Sequence, residues 1–150
     1  MRIYLDVSCL NRPFDDQTQS RIRLESEAVI LILEGIDAGR WEEVSSRMAE
    51  LEVRAIRDEI RRRRVAELLP EGRMELTGPV FARARLLVTS GFKAADALHI
   101  ATAEAHQADV LLTCDDRLLR RGRQLADELN IELANPVDCL KEQDDAANPG

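Results

Sequence analysis

The stretch from Lys93 to Asp116, KAADALHIATAEAHQADVLLTCDD, carries acids where apolar residues are expected. Asp96 interrupts an apolar helical pattern, and Asp115 and Asp116 follow an apolar run, ADVLLT, of the fully buried strand kind. Near the start, Asp6 closes a second β-rich run, RIYL, and Glu50 and Glu52 lie on a helical pattern after EVSS. A carboxylate beside a core is costly unless something positive meets it. In an open parallel sheet, sites form outside the carboxyl ends of the strands, so these acids can converge there. Several carboxylates in one pocket repel one another, and ionised together they need a cation. All-oxygen ligation suits Mg²⁺ or Mn²⁺ rather than zinc. Such a site can activate water and brace the charge of a phosphodiester transition state.

Each acid also has a plainer reading. Asp6 or Asp96 can cap a turn or helix, and either Asp115 or Asp116 suits the N-cap of the helix that follows. Glu50 and Glu52 are two residues apart, so they cannot share a helix face, and one of them is a surface charge. The combination at strand ends is more specific than any acid alone.

The elements that must position these acids alternate between strand and helix. Ile22, Val29, Ile30, Leu33 and Ile36 recur near helical spacing from Ser20 to a stop at Gly39. WEEVSS reads as a short strand, with Ser45 or Ser46 capping the helix RMAELEVRAI. RDEIRRRRVAELL is a highly charged helix, RMELTGPVFARARLLVTSG a strand entry followed by a helix, and AADALHIATAEAH a helix with Ala94, Ala97, Leu98, Ala101 and Ala105 on one stripe. DDRLLRRGRQLADEL is a further helix and IELANP a last strand. Strands alternating with helices predict an α/β fold, three layers α/β/α around a mainly parallel central sheet. Residues 1–140 form one domain without repeats or a linker, and the polar segment 141–150 reads as a frayed tail.

Composition narrows the function classes. The 150 residues carry a net charge of −7, which argues against passive nucleic-acid binding but permits a local basic rim. Aromatics are only 3 %, too few for a base-stacking platform. The three cysteines, Cys9, Cys114 and Cys139, show no metal-binding spacing and read as free thiols of a reducing compartment. No signal peptide and no membrane span are legible, which predicts a cytoplasmic protein. A phosphatase with a nucleophilic Asp would want Asp-x-Asp, but Ser8 stands two residues after Asp6.

The opening IYLDVSCLNRPF, the segment VSSRMAELEV, the helix start KAADALHIATA and the strand end ADVLLTCDDRLL together resemble the PIN-domain family of Mg²⁺-dependent ribonucleases, which includes the VapC-like toxins. The likeness runs from about Met1 to Leu140. KAADALHIATA is its most specific part. It implies a metal-dependent endoribonuclease using Mg²⁺ or Mn²⁺. Asp6 and Asp96 would be direct metal ligands, with Asp115 holding metal directly or through water and Asp116 capping the helix. Glu52 would complete the catalytic set. Glu50 is the alternative, and Glu52 is preferred because Met48, Leu51 and Ala55 would then form the packed side. Ser8 and Thr113 would support the acids. His99 would bond a carboxylate or backbone group rather than a metal. Arg12, Arg21 and Arg23, or the run Arg61–Arg64, would contact substrate phosphates, although that run also reads as a solvated face paired with Glu59 and Glu67.

The implied partners are an RNA substrate, an antitoxin protein, and a second copy of the chain packed on the first two helices. The sequence departs from the family pattern at Val7, where many members have Thr, and in the long polar segment NRPFDDQTQSRIRLES. A non-catalytic interaction module of the same fold is the competing reading.

Overall fold

The computed structural model describes residues 1–148. Four parallel strands form one sheet in the order β2-β1-β3-β4, with β1 Arg2–Leu5, β2 Glu42–Val44, β3 Val110–Leu112 and β4 Glu132–Ala134. Among the described residues eight α-helices surround it: α1 Val7–Asn11, α2 Ser20–Asp37, α3 Arg47–Arg54, α4 Glu59–Glu67, α5 Gly78–Ser90, α6 Ala94–Ala105, α7 Asp116–Gln124 and α8 Pro136–Ala147. The period of two along the central strands divides the core. Ile3, Leu5, Val110 and Leu112 face one layer, with Val29 and Ile32 of α2, Val53 of α3, Val65 of α4 and Cys139 of α8. Tyr4 and Leu111 face the other, with Val80 and Leu87 of α5, Ala97 and Ile100 of α6 and Leu118 of α7. This is the expected three-layer α/β/α architecture, with a sheet that is parallel throughout.

The chain visits β2 on one side of β1 and then crosses to β3 on the other, so the strand order reverses between β1 and β3. That reversal is where an open parallel sheet leaves a crevice. The register pairs Leu5 with Leu112, and the Asp6 amide donates to the Leu112 carbonyl at 2.9 Å. The residues following both strands therefore emerge side by side.

Two expectations are corrected here. The frayed tail predicted from Lys141 is instead helical through Ala147, because α8 starts with Pro136 at its first turn, is capped by Asn135, and anchors Cys139 in the core. Residues 149 and 150 lie outside the described residues. The strand expected at RMEL is reduced to a single bridge between Met74 and Ser46. Of the two helices expected to pack a second copy, α2 exposes Leu24, Ile30 and Leu31 and α3 exposes Leu51. No helix among the described residues is long and apolar enough to cross a membrane.

Candidate active site

Asp6 stands at the end of β1, one residue before α1, yet its side chain does not cap that helix. Its Oδ2 accepts instead from the hydroxyls of Ser8 and Thr113, each at 2.8 Å. Each hydroxyl in turn accepts a backbone amide, Cys114 N–H onto Ser8 and Asp115 N–H onto Thr113, both at 3.1 Å. The turn after β3 and the turn after β1 are thus tied through one carboxylate. Asp6 Oδ1 is left facing His99 Nε2 at 3.9 Å.

Glu52 reaches the same point from α3. The N-cap of that helix is Ser46, whose Oγ accepts from the Ala49 amide at 3.2 Å. From this start Ala49 and Val53 face the core and Glu52 turns toward the strand ends, where it bonds His99 Nε2. The packed side expected from Met48, Leu51 and Ala55 is not the observed one, since Leu51 is 52 % exposed. Glu50 points elsewhere. It is nearly buried and held by Arg47 at 2.6 Å, Arg54 at 2.6 Å and Arg73 at 3.0 Å. The Arg73 bond above all, then the charges of Arg47 and Arg54, keeps its carboxyl below the usual range against the opposing effect of burial.

Asp96 occupies the first turn of α6, whose N-cap is Lys93, so it is not the cap. Burial, then the charges of Asp6 and Asp115, push its carboxyl up to about 6. Asp115 is the N-cap of α7, its Oδ1 accepting from the amides of Arg117 at 2.9 Å and Leu118 at 3.4 Å. The cap expected of Asp116 therefore belongs to Asp115. Asp116 turns outward and forms a two-pronged ion pair with Arg21, both bonds 2.6 Å. The residue just outside the first helical turn is the one whose oxygen reaches the free amides.

His99 lies three residues after Asp96 on the same face of α6, buried among the acids. Its Nε2 meets Glu52 and its Nδ1 meets the Tyr4 hydroxyl, which also bonds Ser46 Oγ at 2.6 Å. Burial lowers the imidazole pKa, but the Glu52 bond and the charges of Asp6, Glu52 and Asp96 outweigh it and raise the pKa. Charged or neutral, the ring presents Nε2–H to Glu52. In the neutral form the bonds run in one direction: Ala49 N–H to Ser46, Ser46 to Tyr4, Tyr4 to His99, His99 to Glu52. Burial, with the charges of Asp6 and Glu52 adding to it, raises the Tyr4 pKa and keeps its proton in place.

Asp6, Glu52 and His99 bring one ligand atom each within 4.8 Å of one another. This tight group differs from the expected Asp6, Asp96 and Asp115, although Asp96 experiences the field of Asp6, Asp115 and Glu52 together. The four acids at the strand ends have no Arg or Lys ion pair among the described residues, whereas Glu25, Glu50, Glu104 and Asp116 each have one. Converging hard oxygen donors left without an internal cation fit a divalent metal ion.

The arginines expected to contact substrate are largely spent elsewhere. Glu25 is buried in α2 and gathers Arg12 at 3.0 Å, Arg21 at 3.4 Å and the Asn135 amide. A buried carboxylate must be paired, and that need takes Arg12 and Arg21. Of Arg12, Arg21 and Arg23, only Arg23 is exposed without an ion pair among the described residues. In the arginine run, Arg61 pairs with Asp15 at 2.7 Å, Arg62 bonds the Ile56 carbonyl and Arg63 pairs with Glu59. The bond of His99 to a carboxylate is the one expected from the sequence, whereas the Tyr4 hydroxyl that orients the ring was missed. Sequence reasoning also missed Lys93 and the arginines of α7, which line a cleft with Asp96 and Asp115.

A comparison with curated proteins finds no match. Among solved structures, the crystal structure of FitAcB from Neisseria gonorrhoeae is similar, with a TM-score of 0.58 and 17 % identity, covering 89 % of this chain and 97 % of that one. At that identity the likeness shows the fold. The family model for the PIN domain matches residues 3–124, the span that contains all four strand-end acids, and the chain belongs to the PIN domain family.

Proposed function

We propose that this protein is a metal-dependent endoribonuclease that hydrolyses RNA phosphodiesters at the acids Asp6, Glu52, Asp96 and Asp115. The observation that carries the reading is their convergence without an internal Arg or Lys partner, at the reversal of strand order in a parallel sheet. Mg²⁺ or Mn²⁺ is the expected occupant. When bound, such an ion supplies positive charge to the phosphoryl oxygens and acidifies water.

The chain's own contribution is to hold mutually repelling carboxylates in place. Ser8 and Thr113 pin one oxygen of Asp6, His99 pins Glu52, and the first-turn amides of α7 pin Asp115. Each leaves oxygen capacity for a cation, so little reorganisation is needed when charge builds in the transition state. The VapC-like pattern KAADALHIATA supports a toxin role with an antitoxin protein as partner, and the free buried thiols suit a reducing cytoplasm. A homodimer belongs to the same proposal, with Leu24, Ile30 and Leu31 of α2 available for it.

The test is cleavage of a pool of labelled RNAs with Mg²⁺ or Mn²⁺, wild type against Asp96→Asn. Metal-dependent cutting lost in the variant is the expected result. Calorimetry that finds no Mg²⁺ or Mn²⁺ binding by the folded wild type would overturn the reading and leave a non-catalytic PIN-fold module.

A further inference from the structure

Asp96 and Asp115 belong to two neighbourhoods. On one side they face Asp6 and Glu52; on the other they form part of the wall of an open cleft of about 420 Å³. The rest of that wall includes Lys93, Arg117, Arg120 and Arg121, all exposed. None of these cations has an ion pair among the described residues. Most other arginines that meet an acid in this chain do so closely, as in the pairs Arg12–Glu25, Arg47–Glu50, Arg61–Asp15 and Arg83–Glu104.

The spacing of the cations is itself informative. Arg117, Arg120 and Arg121 stand at i, i+3 and i+4 of α7, so they share one face, while Leu118, Leu119 and Gly122 bury the opposite one. Like charges at this spacing weaken a helix. On α4 an acid one turn away meets Arg63, whereas Asp116, one turn before Arg120 on α7, is held by Arg21. Beside the Arg121 guanidinium is Gly91, at φ +126°, where an added Cβ would lie 3.4 Å from the nearest guanidinium nitrogen. The turn between α5 and α6 thus lies against that side chain.

We infer that the cleft between Lys93 and the Arg117–Arg120–Arg121 face of α7 is the track for the phosphate backbone of an RNA strand, feeding its scissile phosphate to Asp96 and Asp115. The inference rests on the nuclease reading and adds the residues that hold the substrate. Arginine suits the task because its planar fork meets phosphate oxygens with two bonds. In a chain of net charge −7, a local cationic rim is also what lets a polyanion approach four acids. The one aromatic of the cleft wall, Phe92, is buried, so recognition here reads charge and not stacked bases. Binding is therefore sequence-tolerant and steeply salt-dependent.

The experiment compares wild type, the triple variant Arg117→Gln/Arg120→Gln/Arg121→Gln and a control that removes three exposed arginines outside the cleft, Arg40→Gln/Arg57→Gln/Arg85→Gln. A short fluorescein-labelled single-stranded RNA is titrated by anisotropy in EDTA across a KCl series. The triple variant is expected to bind at least about tenfold more weakly, and its slope of log K against log salt to fall by about 2, near 0.7 for each lost contact to a single strand. The control should match wild type, and Mn²⁺ calorimetry of the triple variant should be unchanged, showing the acids intact. Equal RNA affinity and slope in the triple variant, or an equal loss in the control, overturns the track while leaving the nuclease standing. Loss of binding to a labelled polyglutamate peptide with RNA binding retained would assign the cleft to an acidic protein segment and also overturn it. Failure of the wild type to bind or cut any RNA removes the nuclease reading and the track together.

Discussion

His99 of α6 joins Glu52 of α3 through Nε2 while its Nδ1 is held by the Tyr4 hydroxyl from β1, so a site acid on one helix is oriented by a ring on another. Groups that orient metal ligands typically change metal affinity by about 10–100-fold when removed. His99→Gln is expected to lower Mn²⁺ affinity within that range, read by calorimetry, with the fold retained by circular dichroism. Tyr4→Phe strips a partner from both Ser46 and His99, and a buried polar group left unpaired costs about 1–3 kcal/mol. A urea midpoint for Tyr4→Phe equal to wild type would contradict the chain of bonds described.

Glu50 and Glu52 should separate cleanly. Glu52→Gln is expected to abolish metal-dependent cleavage and weaken Mn²⁺ binding. Glu50→Gln leaves Arg47, Arg54 and Arg73 around a neutral group, so thermal stability falls while Mn²⁺ affinity stays. Because Arg73 and its neighbours depress the Glu50 carboxyl, this contribution is present above the ordinary carboxylate range and lost as pH falls through the lowered value. Loss of metal binding in Glu50→Gln would reverse the assignment.

Asp96 gives the opposite sign. Its carboxyl is raised from 3.8 to about 6, so its contribution to stability is complete below 3.8 and disappears as pH rises through about 6. In EDTA, Asp96→Asn should be the more stable protein above pH 6, by on the order of 1 kcal/mol after allowance for its partial exposure. The difference should close toward pH 4, as urea melts across that range will show. Saturating Mg²⁺ should reverse the order, since an ion that binds only the folded wild type stabilises it by mass action.

Gly91 ends α5 at φ +126° and ψ 5°, a backbone region that a side chain disfavours. Gly91→Ala should cost about 1–2 kcal/mol in a thermal melt, from the strained turn. Unchanged stability would show that the turn tolerates another conformation.

Much of this molecule was legible in the residues because its information is local. RIYL and ADVLLT are apolar and β-rich, the helices carry their own periodicity, and an acid after each central strand is a position along the chain. In a parallel sheet such positions meet at one end, so Asp6, Asp96 and Asp115 could be named together, and the family resemblance added Ser8 and Thr113. What only the tertiary structure decided was which charge meets which. The turn of α3 set by its Ser46 cap sends Glu52 to the site and Glu50 to three arginines. Glu25 takes Arg12 and Arg21 because a buried carboxylate must find cations, however distant in sequence. The cap on α7 falls to Asp115 through the geometry of its first turn, and the helical tail forms because Cys139 has a core to enter. Pairing of charges is a long-range choice among many near-equal partners, and only the packed sheet and helices bring the chosen ones within reach.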